Sequence, residues 1–375
     1  MPQNQPISRL ATAMCTLALA LTSAYLHADS FTQTNLVSDV PGLANNTDPH
    51  LINPWGVSFS ATSPFWTSDQ VTGLATLYNG AGAPQGLVVT IPGSTTPPSG
   101  PTGTVFNFAT SGFLVNGVRA NFIFDTFNGT IVAWNAGVGT TAQVVVPSSG
   151  AVFTGLAQNS TATGTFLYAA DSTGHIDVFN SSWSPVTGFA FVDPNAVAGF
   201  VPFNIQSIGA NLYVTYAKLG PGGSPMPGGY VDEFDAGGNF IKRIATSGNL
   251  FAPWGITLAP ANFGSFSNDL LIGNFGNGEI LAYDATTDMF LGTLDGTNGQ
   301  PITNDFLWAL ETRNAPGFDP NALYFSAGIN NQQDGLFGEI TEVPEPATIF
   351  GTALGLAALA LSRVKRNLPR SSRLQ

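Results

Sequence analysis

The chain has 375 residues, of which 43 are Gly and 26 Pro, and 9% are charged. Its 28 Phe, 8 Tyr and 6 Trp give more apolar bulk than a disordered chain carries, so many short strands joined by Gly/Pro turns are expected. Between Asp29 and Glu342 stand 22 Asp/Glu against five Lys/Arg, a net of −17, which argues against a nucleic-acid partner because phosphates need a basic surface.

In chain order, residues 1–28 read as a secretory signal. Arg9 precedes an apolar stretch from Leu10 to about Leu21, and small residues follow up to Ala28. Cleavage by signal peptidase is expected after Ala28, with Ala24 as the alternative. The stretch is shorter than the ~20 residues a bilayer span needs. Cys15, the single cysteine, lies inside it, so the processed chain would have no thiol chemistry.

From here to residue 342 one phrase recurs: a Gly, four residues, an aromatic, then Asn or Asp. It occurs at Gly73 to Tyr78-Asn79, Gly129 to Trp134-Asn135, Gly174 to Phe179-Asn180, Gly229 to Phe234-Asp235 and Gly278 to Tyr283-Asp284. A degenerate sixth copy turns at Gly335. Successive glycines are 56, 45, 55, 49 and 57 residues apart, a period in the range of a propeller blade. An apolar run precedes each Gly, as in Leu270-Leu271-Ile272, and the pair reads as a hairpin. Asp69, Asp125, Asp171 and Asn274 stand three or four residues before their glycines, where a short polar side chain is expected to cap the turn. The aromatic is expected to pack between blades.

An innermost strand is expected ahead of each hairpin, at Trp55–Phe59, Thr104–Phe108, Phe153–Ala157, Phe203–Ile208, Trp254–Leu258 and Leu307–Glu311. Pro54-Trp55-Gly56-Val57 and Pro253-Trp254-Gly255-Ile256 are near-copies. The count predicts an all-β, six-bladed propeller over residues 29–342. Phe31–Val37 alternates but has no blade of its own, so it is expected to close the last one and remove an open edge. These openings, turns and aromatic endings resemble the NHL-repeat and lactonase-like six-bladed propellers. The whole chain looks like one of a family of exported bacterial propellers.

Residues 343–375 carry a different signal. Val343-Pro344-Glu345-Pro346 precedes an uncharged run over 347–362, then Arg363, Lys365 and Arg366. This order resembles the PEP-CTERM sorting signal of Gram-negative bacteria. The resemblance implies transient anchoring in the inner membrane, the basic end cytoplasmic, and cleavage near Pro-Glu-Pro by an exosortase. The destination would be the cell envelope or extracellular matrix.

Few residues invite chemistry. His50 lies just before the first inner strand, and Asn53, Asn204, Asn304 and Asp305 also stand at or near inner-strand starts. In lactonase-like propellers, carboxylate and amide oxygens in the channel hold a divalent cation, and Ca²⁺ takes such ligands. Here most are amides, equally able to cap strand ends. The leading expectation is therefore a non-enzymatic binding module with an unidentified envelope or matrix ligand. A Ca²⁺-dependent lactonase or esterase is the alternative.

Overall fold

The computed structural model describes residues 29–93, 99–246 and 248–344. Ala28, Glu345, Pro346, the 347–362 run, Arg363, Lys365 and Arg366 lie outside the described residues.

Six sheets form the propeller, each named here as a blade. The inner strands are Pro54–Ser58, Pro101–Phe106, Phe153–Thr161, Val201–Ile208, Pro253–Leu258 and Leu307–Thr312. Each packs against the next and the last against the first, which closes the ring. Every inner strand pairs antiparallel with the strand that follows it in its blade, and a third strand continues the meander. The repeated aromatic ends or lies in this third strand. Tyr78, Trp134, Phe179, Phe234 and Tyr283 are all buried. Alternation explains this: a residue at a fixed distance from the turn always faces the same side of the sheet.

The glycine of the repeat has a conformational reason. Gly73 has φ +68° and Gly129 φ +76°, the left-handed region that other residues enter at a cost. A Cβ on Gly129 would also lie 2.3 Å from the Ala151 carbonyl oxygen. The preceding acids do more than cap these turns. Asp171 accepts from Thr173 N–H in its own turn, but also from Val152 N–H at 3.0 Å. Asp125 accepts from the Thr102 hydroxyl at 2.7 Å and from Gly103 N–H. Asn274 accepts from Phe251 N–H and donates to the Asn249 carbonyl. These three side chains tie their hairpins to the segment entering or forming the inner strand of the same blade, whereas Asp69 accepts from Thr67 and Thr76 within its own hairpin.

The sixth blade receives the start of the chain. Strand Phe31–Ser38 pairs antiparallel with Leu336–Glu342, from Phe31 opposite Glu342 to Ser38 opposite Leu336. Phe31 is buried against Phe263 and Phe266, with ring centroids 4.7 and 6.0 Å away. The third blade differs, because its sheet has three strands.

Candidate functional site

Every inner strand carries a register shift near its start. Pro54 pairs with Asp69 and Val57 with Thr67, Pro253 with Asn274 and Ile256 with Ile272, Leu307 with Ala327 and Leu310 with Phe325. Blades two, three and four shift at the matching place. Such a bulge bends the strand and re-aims a side chain. The first residues inside the shifts are Trp55, Thr102, Thr154, Phe203, Trp254 and Trp308, and the large ones meet at the axis. Trp55 stacks on Trp308 with centroids 3.6 Å apart, and Trp254 stands edge-on to both. Phe275 packs on Trp308 at 4.2 Å. Trp308 Nε1 donates to Asn53 Oδ1 at 2.9 Å, and Trp254 Nε1 to the Thr154 carbonyl at 2.8 Å. This aromatic plug fills the axis on the face where the inner strands begin.

Next along the strands comes a ring of small residues: Gly56, Gly103, Gly155, Asn204, Gly255 and Ala309. Their smallness follows from how closely the strands approach. A Cβ on Gly103 would lie 2.3 Å from Leu156 N, and one on Gly255 would lie 2.4 Å from the Trp308 carbonyl oxygen. Asn204 is the exception. Its Nδ2 donates to the Trp254 carbonyl at 2.9 Å, and its Oδ1 occupies the space that a Cβ on Gly155 would need.

Below this ring the axis opens. A space of about 10 Å³, touching Asn204, Trp254, Gln206 and Glu311, has room for one water-sized group. It shares Val57, Thr104, Leu156, Gln206 and Glu311 with a cavity of about 290 Å³ at the other face. Phe59, Phe106 and Phe108 line that wider mouth. Glu311 is the one titratable group among the described residues lining either space. Gln206 Nε2 donates to it at 3.3 Å. Among the described residues no Lys, Arg or His forms an ion pair with it. Desolvation pushes its carboxyl up to about 8, opposed by the Gln206 hydrogen bond.

The residues singled out in the sequence lie elsewhere, apart from Asn204. His50 is half exposed, its Nδ1 2.9 Å from Asp48 Oδ1, while Tyr78 OH donates to Asp48 Oδ2. Asn53 supports Trp308 and donates to Gln70 and Gln332. Asn304 and Gln33 exchange amide hydrogen bonds at 2.8 and 3.0 Å, joining the closing strand to the sixth blade's entry. Asp305 is exposed. These side chains serve separate partners, and only Asn204 lines the axial space. A Ca²⁺ ion needs six to eight converging oxygens, and this set does not supply them. Among the described residues no group of three or more His, Cys, Asp or Glu could hold a metal ion. Glu311 itself ends the sixth expected inner strand, and its significance depends on Gln206, 105 residues earlier.

Comparison with known proteins places the chain among relatives. It is 31% identical over 325 residues to the uncharacterized protein R648 of Acanthamoeba polyphaga mimivirus, covering 81% of this chain and 78% of that protein. It is also 31% identical to the same virus's uncharacterized protein L690, covering 82% and 84%. The chain belongs to one family with these mimiviral proteins. No protein-family model matches. Among solved structures, a streptogramin B lyase is similar with a TM-score of 0.49 at 11% identity, covering 84% of this chain and 97% of the lyase. A hydrazine synthase of Kuenenia stuttgartiensis has a TM-score of 0.48 at 13% identity, covering 76% of each chain.

Proposed function

We propose that this protein is an exported β-propeller that binds a small ligand in the axial cavity, at the face where the inner strands end. The observation that carries the binding reading is Glu311, a carboxyl set without a cation in a tapering cavity. Desolvation there disfavours the charged form, and a cationic group entering the cavity would relieve that cost. Cavities with a few convergent polar groups among apolar walls are also the usual form of a ligand site. The axis at the opposite face is closed by the tryptophans. The lactonase alternative gains no support from the residues named for it, and no hydrolytic step is derived.

Export rests on the sequence. The leader ending at Ala28 and the order of Val343-Pro344-Glu345-Pro346, uncharged run and Arg363, Lys365, Arg366 support passage through signal peptidase and an exosortase to the cell envelope or matrix. The low charge balance of the propeller, −17 over Asp29–Glu342, suits such surroundings. The binding reading is tested by a fragment screen on the full-length chain, read by ligand-observed NMR. Hits should vanish in Ser207→Trp, where a bulky ring obstructs the mouth. Hits that persist in that variant would place binding elsewhere.

A further inference from the structure

We infer that the axial cavity accepts a primary alkylammonium group, carried on a slender chain that enters from the wide mouth. This rests on the reading of that cavity as a ligand site and adds the chemical class. Shape is the first reason. The inner space holds one water-sized group, which an –NH₃⁺ matches, whereas a planar guanidinium or a sugar ring would stop in the wider cavity. Polarity is the second. An ammonium has three donors and no acceptor. The inner space offers Glu311 as an acceptor, and Gln206 and Asn204 also line it. Asn204 Nδ2 is already engaged by the Trp254 carbonyl.

The third reason is the wall behind the head group. Val57, Leu156 and Thr104 line both spaces, and Phe59 and Phe106 widen toward the surface. Methylene groups can lie along this passage while the head stays beside the acid. Charge supplies the fourth. No Lys, Arg or His among the described residues lines either space to compete for Glu311, and the net charge of −17 over Asp29–Glu342 draws cations toward the protein. The same head group could belong to a free alkyl diamine or to a lysine side chain.

The test is titration of the full-length chain by calorimetry and methyl NMR with 1,4-diaminobutane, 1,4-butanediol and Nα-acetyl-lysine amide. The diamine should bind and shift the Val57 and Leu156 methyl signals, while the diol should not. Glu311→Gln, checked for an unchanged fold by circular dichroism, should weaken the diamine at least tenfold. Stronger binding of the lysine amide than of the diamine would identify a side-chain source, and the reverse a free amine. Equal binding of diol and diamine, or full diamine affinity in Glu311→Gln, would overturn the ammonium class and leave the cavity as a site for neutral ligands. Absence of any shift at Val57 or Leu156 with all three compounds would overturn the ammonium class, while fragment hits lost in Ser207→Trp would still uphold the cavity.

Discussion

Glu311 and Asp125 are carboxyls raised by burial, to about 8 and about 7. Asp232 is raised to about 6, again chiefly by desolvation and against the pull of Arg243. For all three the folded chain holds its proton to higher pH than the unfolded chain does. Their contribution to stability is therefore fully present below the ordinary carboxyl range and is lost as pH rises through 6 to 8. Asp235 and Asp284 shift the other way, and their effect falls below that window. Melting temperature should fall between pH 5 and pH 8.5, and the fall should be shallower in Glu311→Gln. A melting temperature that climbs across this range would contradict the burial described for these acids. Of these groups the sequence shows only the acids. Whether a carboxyl finds a cation depends on strands a hundred residues away, so the isolation of Glu311 could not be read from Leu307–Glu311 alone.

Single elements show why the fold was more legible than the site. The aromatic at +5 must be buried because its register is fixed by the turn, so Tyr78, Phe234 and their counterparts announce the blades. The Pro-Trp-Gly openings likewise mark inner strands. What they do not reveal is the register shift that turns Trp55, Trp254 and Trp308 onto one another, because meeting at the axis is a property of the closed ring. The glycines that follow Trp55 and Trp254 are held small by their neighbours, and Ala309 takes that place after Trp308. Gly255→Ala should destabilise the propeller by about 1–3 kcal/mol, the usual range for overpacking, measured by denaturant unfolding. Phe31 anchors the closing strand between Phe263 and Phe266, and Phe31→Ala should cost about 3–5 kcal/mol. An unfolding curve unchanged by Phe31→Ala would mean that the closing strand contributes little to the ring.

At the scale of the whole molecule, address and binding are separate properties. The address proposed above would be carried by short motifs at the two ends, and the propeller between them does not reveal it. Mass spectrometry of the protein recovered from an exosortase-positive host should show both ends removed, near Ala28 and near Pro344-Glu345-Pro346; an intact C-terminus there would refute sorting. The proposed binding would depend on the ring as a unit, since Val57, Thr104, Leu156, Gln206 and Glu311 come from five different blades. The most direct measurement is a ¹³C-carboxyl NMR titration of Glu311 in the full-length chain, with and without 1,4-diaminobutane. An uncompensated acid in the axial cavity should titrate near 8 in the free protein and well below that once the ammonium is bound. A midpoint in the ordinary glutamate range, unmoved by the diamine, would contradict both the isolation of Glu311 and its place at the centre of the site.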